Sequence, residues 1–262
     1  MLKFLKGIYG VAVACFMVVP LAAILPLAFN DGVLINYPMN GVSLRWFDEL
    51  LTSAVWKRAI INSLVIGTAT ALLATSLGTL AALGLRNRSG TFYSICRTAF
   101  LLPMVAPVVV LGVGMQIIFS RIGLLNTYTG IIIAHTVVAL PFVVISAGTG
   151  LAGVSPVTER AAASLGAAPF TVFRRVTLPI AFPGILSGAI FAFATSLDEV
   201  ILLLFLGSAS QRTLAREMFA QLRDNLTPVI AAVAFLFIIG TLLLSVLSVV
   251  IRRRRSVAIM PE

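Results

Sequence analysis

The segment 155–179 reads SPVTERAAASLGAAPFTVFRRVTLP and separates two long apolar stretches. Ser155 is a favourable N-cap residue, and Pro156 suits the first position of a helix because it has no N–H to leave unpaired. Glu159 would lie in the first turn, where the helix dipole favours a negative charge. Gly166 accepts the left-handed backbone that commonly ends a helix. The sequence therefore predicts a helix of about ten residues that is closed by a glycine turn.

The second half of this segment predicts a second short helix that leads into the next apolar stretch. Pro169 marks the start of a second short helix, and Pro179 and Pro183 mark the start of the next apolar stretch. A compact helical segment with a glycine hinge is suited to docking on a soluble partner. An ordinary connector between two apolar helices is the alternative interpretation.

The rest of the chain is more apolar than a soluble protein allows. Of its 262 residues, 60% are hydrophobic and 11% are charged, with a mean hydropathy of +1.08; that charged fraction is about half the value typical of soluble domains. Six stretches reach the roughly 20 residues needed to cross the hydrocarbon core. They are apolar nearly all round, which argues against buried helices of a soluble protein. The predicted spans are 8–28, 59–85, 93–120, 129–151, 180–206 and 228–251.

These spans predict an all-α integral membrane protein with six transmembrane helices in a single domain over 1–262. Lys3 and Lys6 precede the first stretch, as in a signal peptide. The apolar run is longer than a signal core and no clear small-x-small cleavage site follows it, so we expect a retained span.

The basic residues indicate the orientation of the spans. If the N-terminus is cytoplasmic and the spans alternate, the inner segments carry the whole basic excess of +10, as the positive-inside rule expects. Both termini are therefore predicted to be cytoplasmic. We expect the four arginines at 252–255 to contact anionic membrane lipid rather than nucleic acid.

Segment 155–179 also resembles the "EAA" loop of permease subunits in binding-protein-dependent ABC importers. That pattern is Glu-Ala-Ala, three residues, Gly, nine residues, an aliphatic residue, any residue and Leu-Pro. Arg160 stands where the pattern has Glu, and Glu159 lies one place earlier. The matching positions are Ala161, Ala162, Gly166, Val176, Leu178 and Pro179.

The resemblance implies a type I ABC importer permease fold, in which the loop between spans four and five is a coupling helix. It implies a bacterial inner-membrane location and four kinds of neighbour: a second permease subunit, two copies of a cytoplasmic ABC ATPase, a periplasmic solute-binding protein and membrane lipid. The ATPase-coupling residues it implies are Glu159, Arg160, Ala161, Ala162, Leu165, Gly166, Leu178 and Pro179.

The energy source is expected to lie outside the chain. The sequence contains no G-x-x-x-x-G-K-[ST] phosphate loop, so the energy must come from a partner subunit or from an ion gradient. The resemblance implies that ATP and Mg are bound by the partner ATPase. We expect no cofactor, metal site or catalytic residue in this chain. A stand-alone secondary transporter or channel is the alternative, but it would need no ATPase-docking helix.

Asp198 and Glu199 are adjacent acids inside the fifth predicted span, where charged groups are costly and indicate function. Asp198 lies about 22 Å along a helix from Pro183, in the outer half of the span. Both acids are candidate substrate-pathway residues that would attract a cation. The structural alternative is an acid pair bonded to Arg212 or to backbone.

The surroundings of these acids resemble spermidine/putrescine-type permeases. Segment 195–200 reads TSLDEV, and 211–218 reads QRTLAREM, a short amphipathic helix. The resemblance favours a polyamine, spermidine or putrescine, over other small solutes such as opines and amino-acid derivatives.

Five other residues are interpreted structurally. Pro103 and Pro107 are expected to bend the third span, either as a packing kink or as a break that lines the pathway. His135 is expected to be buried and hydrogen-bonded rather than part of a proton relay. Cys15 and Cys96 are interpreted as small core residues, with no disulfide or metal site.

Overall fold

The computed structural model describes residues 2–39, 41–224 and 227–258, with side chains except in 2–5, 224, 244–245 and 247–258. The described chain is helical, with an isolated antiparallel bridge between Asn30 and Val42. Its α-helices are α1 Leu2–Ile24, α2 Arg45–Thr52, α3 Ala54–Leu85, α4 Thr91–Val105, α5 Val108–Arg121, α6 Tyr128–Ala152, α7 Pro156–Ser164, α8 Pro169–Val172, α9 Leu178–Asp198, α10 Ile201–Leu206, α11 Leu214–Asp224 and α12 Val229–Ala258. Shorter helical turns lie at Leu25–Phe29, Phe173–Thr177 and Ala209–Gln211.

Four helices of the described residues are long and apolar enough to cross a membrane. Three of them confirm the first, second and fourth predicted spans, and the last overlaps the fifth predicted span, 180–206, only as far as Asp198. The four helices are Lys6–Phe29, Ala54–Leu85, Tyr128–Ala152 and Pro169–Asp198. The described apolar part of the sixth predicted span, Val229–Leu243, is shorter than a full crossing. The side chains of 244–245 and 247–251 lie outside the described residues, as do those of the arginines at 252–255. The full set of six spans stays a prediction.

The third predicted span, 93–120, is two helices rather than one. Helices α4 and α5 are bent by 105° at a break over Ala106 and Pro107. A proline pushes the residue before it out of the α-helical region, and Ala106 has an extended backbone with ψ 137°. The predicted bend is therefore a complete break, which the sequence alone did not distinguish from a kink.

The described chain forms two compact units, and the first contains Met1–Lys57 and Glu217–Leu243. Within it, the indole of the buried Trp46 donates a hydrogen bond of 2.6 Å to the carbonyl of Asn30. The rings of Phe29, Phe47 and Phe235 pack together with centroids 5.3–5.6 Å apart. These contacts stabilise the turn after α1 against α2 and α12.

The second unit contains Arg58–Arg216 and is centred on the contact between α6 and α9. These helices meet at glycines. A Cβ atom on Gly184 would lie 2.6 Å from the carbonyl oxygen of Ser146 and 2.7 Å from the Cα of Gly150. Small residues allow two membrane helices to approach until their backbones touch. The two ends of segment 155–179 are therefore anchored to a tightly packed helix pair.

This contact predicts that Gly184→Ala destabilises the chain, because the added methyl group overlaps backbone rather than a flexible side chain. Overpacking of this kind costs about 1–3 kcal/mol. Gly148→Ala is the matched control, since a Cβ there meets nothing within 4 Å and alanine favours a helix. Thermal unfolding in lipid nanodiscs, followed by far-UV circular dichroism, should give a lower midpoint for Gly184→Ala only. Equal midpoints for the two variants would contradict the close contact.

Candidate functional site

Helix α7 begins as the sequence predicts. Ser155 has an extended backbone, and its hydroxyl oxygen accepts a hydrogen bond of 3.2 Å from the N–H of Val157. Pro156 occupies the first helical position and Glu159 lies in the first turn. The predicted N-cap is confirmed.

The end of α7 is a glycine-closed cap. Gly166 has a φ of +84°, which is in the left-handed region that favours glycine. Its N–H donates to the carbonyl of Ala163 (3.0 Å), and the N–H of Ala167 donates to the carbonyl of Ala162 (3.3 Å). These two bonds form a Schellman motif. The predicted left-handed cap is confirmed, and it fixes the direction in which the chain leaves α7.

One oxygen of the Glu159 carboxylate holds the inner side of α7. It accepts a hydrogen bond of 2.8 Å from the Arg86 guanidinium and one of 2.5 Å from the Thr177 hydroxyl. The second guanidinium nitrogen of Arg86 donates to the carbonyl of Val154 at 2.6 Å. We refer to Arg86, Val154, Glu159 and Thr177 as the Arg86 clamp. It joins the end of α3 to Val154 in the connection between α6 and α7, to α7 itself and to the turn before α9.

The clamp changes the acidity of Glu159. Partial burial acts to raise the pKa of this carboxyl, but the hydrogen bonds from Thr177 and Arg86, together with the positive charge of Arg86, outweigh it. The net effect is a pKa below the ordinary value of 4.5. Glu159 therefore stays ionised at neutral pH, as a charge-assisted hydrogen-bond acceptor should.

Arg160, which stands at the Glu position of the EAA pattern, is exposed and points away from the clamp. Its Nε donates to the carbonyl of Pro156 in the same helix at 3.3 Å. Consecutive helical residues differ in direction by about 100°. The neighbouring Glu159 and Arg160 thus lie on different sides of α7, one held inside and one presented outside.

The outer side of the segment exposes large apolar side chains. Leu165 is 89% exposed, Phe170 71% and Val157 65%. Ala161 is exposed and Ala162 is half-buried. Several exposed apolar residues close together in one segment are typical of an interaction surface.

Leu178 and Pro179 are the first residues of α9, which continues a helical run that begins at Pro169. Helix runs without interruption over Pro169–Asp198, so the fifth span, predicted to begin at residue 180, begins about ten residues earlier in the structure. A proline has no N–H to donate, and its ring crowds the carbonyl four residues earlier. A wider π turn over Phe173–Thr177 precedes the proline, and in it the Leu178 N–H donates to the carbonyl of Phe173.

The two acids of the predicted pair, Asp198 and Glu199, have different surroundings in the structure. Helix α9 ends at Asp198, whose exposed side chain makes no hydrogen bond within the described ranges. The Glu199 carboxylate accepts a 2.9 Å hydrogen bond from the N–H of Leu202 and so caps α10. The predicted fifth span, 180–206, is therefore broken at Glu199. The structural alternative, an acid bonded to backbone, is confirmed for Glu199.

Another polar group fixes the segment that follows α10. The buried Asn62 on α3 donates to the carbonyls of Ser210 (3.0 Å) and Arg212 (2.9 Å). Its own side-chain oxygen accepts from the Tyr128 hydroxyl at 2.8 Å. The sequence does not reveal the role of Asn62, because a single asparagine in an apolar stretch carries no local pattern. The roles of Arg86 and Thr177 are hidden too, since their partners are distant in the sequence.

The interpretation of Cys15 as a core residue is wrong, because Cys15 is exposed, and Cys96 is half-buried. The interpretation of His135 is confirmed. His135 is buried, and its Nδ1 lies 2.8 Å from the Ser196 hydroxyl oxygen, which confirms a buried, bonded histidine. Phe142 stacks on Phe191 of α9, with ring centroids 6.4 Å apart.

Comparison with known proteins gives one family and several relatives. Residues 74–257 match the family described as "Binding-protein-dependent transport system inner membrane component". The chain is 28% identical to the spermidine/putrescine transport system permease protein PotC of Haemophilus influenzae, over 97% of this chain and 98% of that protein. It is 35% identical to the molybdenum transport system permease protein ModB of Mycobacterium bovis, over 72% of this chain and 79% of that protein.

A solved structure has the same fold. A chain of a bacterial ABC transporter that imports the acidic polysaccharide alginate superposes with a TM-score of 0.72. The two chains are 16% identical, and the match covers 99% of this chain and 96% of the other. At this identity the likeness is one of fold.

The clamp predicts a pH-dependent contribution of Glu159 to stability. Because the folded-state pKa is lowered, the contribution is present above pH 4.5 and is lost as the pH falls through the lower folded pKa. Glu159→Gln should lower the unfolding midpoint by a few degrees at neutral pH, and the difference from the native chain should shrink on acidification below pH 4.5. Thermal unfolding in nanodiscs across that range is the measurement. A difference that grows in acid would contradict the lowered pKa.

Proposed function

The chain belongs to the family of binding-protein-dependent transport system inner membrane components, and from this membership we propose that it is the permease subunit of an ABC importer. It forms the translocation pathway together with a second permease subunit. Two copies of a cytoplasmic ABC ATPase bind ATP and Mg and drive the cycle. A periplasmic solute-binding protein delivers the solute.

The observation that carries this proposal is the geometry of α7. A docking element needs a rigid attachment on one side and an accessible surface on the other. The Arg86 clamp holds the inner side of α7 through Glu159, and Leu165 and Phe170 are exposed on the segment. Burial of such side chains against an ATPase would supply about 1.5–3 kcal/mol each. A stand-alone secondary transporter gives no reason to expose them.

The proposed orientation places α7 and both termini in the cytoplasm. Arg86 and Arg88 precede α4, and Arg174 and Arg175 follow α7. The Arg86 clamp brings the end of α3 next to α7, so these basic residues belong to the same side, as the positive-inside rule expects. The ATPase, a soluble protein, must reach α7 from that side.

We propose a small cationic solute, a polyamine such as spermidine or putrescine, as the cargo. Support comes from the relative named for spermidine and putrescine, which aligns over nearly the whole chain, and from the exposed carboxylate of Asp198. An exposed acid in a pathway attracts a cation and repels an anion. An opine or amino-acid derivative is the second candidate.

Docking predicts that Leu165→Asp releases the ATPase. A charge at a residue that is 89% exposed should leave the fold intact but place an unpaired carboxylate in the interface, which costs about 2–5 kcal/mol. The chain carrying an affinity tag is purified from its own cells, and the ATPase recovered with it is quantified. Ser89→Asp, which adds the same charge at another exposed site, is the control. Full ATPase recovery with Leu165→Asp would contradict docking through this segment.

The division of the acidic pair predicts unequal effects on uptake of labelled spermidine. Asp198→Asn should reduce uptake about tenfold, equivalent to the loss of ~1.4 kcal/mol of transition-state stabilisation. Glu199→Gln should change uptake less than about twofold, because an amide oxygen can still accept the Leu202 N–H. Binding of spermidine to the solute-binding protein should be the same in both strains. A larger loss with Glu199→Gln would reverse the assignment, and no spermidine uptake by the native transporter would overturn the polyamine proposal.

A further inference from the structure

Four separate parts of the chain meet at the Arg86 clamp. Arg86 follows the last residue of α3, Val154 follows α6, Glu159 is in the first turn of α7 and Thr177 ends the π turn before α9. Three hydrogen bonds of 2.5–2.8 Å connect them. Because two of these bonds share one carboxylate oxygen, Glu159 cannot move without pulling on both Arg86 and Thr177.

The clamp is shielded enough to be strong. The side chains of Arg86 and Glu159 are 14% and 24% exposed, and Thr177 and Val154 are 3% and 2% exposed. An ion pair in such surroundings is screened much less than one at the surface. When one partner of a shielded pair is removed, the other charge is left without compensation. The contact therefore behaves as a fixed joint rather than as a transient surface pair.

Glu159 and the exposed side chains of α7 have different tasks. Arg160 and Leu165 are exposed and free to meet a partner protein, whereas Glu159 already uses its carboxylate inside the chain. We propose that Arg86, Glu159 and Thr177 are positioning residues that transmit movement of α7 to α3 and α9, and that Glu159 does not contact the ATPase. This rests on the proposed function, since the movement of α7 comes from the ATPase.

Helix α9 can carry a movement at Glu159 over a long distance. Thr177 is the residue before α9, and α9 continues without a break to Asp198, about 30 Å further at 1.5 Å per residue. The π turn at Phe173–Thr177 is of a kind often found at functional positions in helices. A displacement of Glu159 would therefore act at the start of α9 and be carried along it to the exposed acid.

The test reports movement of α9 directly and needs no knowledge of the solute. Cys15 and Cys96, which are free thiols, are replaced by alanine, and Phe191→Cys places a single reporter thiol at an exposed position of α9. The complex is purified from its own cells through a tag on this chain and reconstituted in liposomes. The rate at which this chain reacts with a fluorescent maleimide is measured without nucleotide and after trapping with ATP and vanadate.

In the parent complex, trapping should change the labelling rate about fivefold or more. Glu159→Gln and Arg86→Gln should each reduce this response to less than about twofold while the trapped nucleotide per complex stays the same, and the double variant should be no worse than either single one. Arg88→Gln, which removes a neighbouring exposed arginine, should respond like the parent. A structural role alone would not separate trapping from the response of α9.

Two outcomes would contradict the proposed role of the clamp. One is an unchanged labelling response in Glu159→Gln. The other is a loss of trapped nucleotide that is as large as the loss of the labelling response. If the charge variants fail to assemble, Thr177→Val, which removes one donor but keeps the ion pair, carries the test and should give a reduced response. An unchanged response in Thr177→Val would then count against the clamp. A parent complex without an ATPase, or without any nucleotide response, would overturn the proposed function itself.

Discussion

The backbone contact between α6 and α9 is the constraint on which the rest of the second unit depends. Gly150 and Gly184 let the two helices touch, and close packing of this kind replaces the hydrophobic driving force that lipid does not supply between helices. Segment 155–179 connects these two helices, so their contact fixes where it begins and ends. Only with both ends fixed can Glu159 meet Arg86 and Thr177 with hydrogen-bond geometry. The candidate site is thus a consequence of helix packing as much as of its own sequence.

Local signals in the sequence predicted what local physics controls. Ser155 and Gly166 act on backbone groups within a few residues, and both caps are as predicted. The joint at Glu159 was not predictable, because its partner Arg86 is 73 positions away along the chain. Nothing in the surroundings of Arg86 distinguishes it from the other arginines that follow α3. Contacts set by packing between distant helices leave no periodic or motif-like trace.

Prolines and acids were harder to interpret because each has more than one structural solution. Pro107 ends a helix with a 105° bend, whereas Pro179 is absorbed by a π turn inside a continuous helix. The sequence contains both prolines, but the choice depends on what each flanking helix packs against. Asp198 and Glu199 show the same ambiguity. The cost of burying a carboxylate in an apolar stretch is avoided either by exposure to solvent or by a hydrogen bond from a backbone N–H. Asp198 is exposed, and Glu199 accepts a hydrogen bond from backbone.

A helix that receives force from a partner must be stiffer in its attachment than in its contact surface. Exposed Leu165 and Phe170 provide a surface that can bind without directional bonds, since apolar burial tolerates small shifts. The Arg86 clamp provides the opposite property, because short hydrogen bonds to an ionised group lose strength quickly as the geometry changes. Placing the two on different sides of segment 155–179 separates recognition from transmission. A substitution on the outer side then changes whether the partner binds, and one on the inner side changes what its binding does.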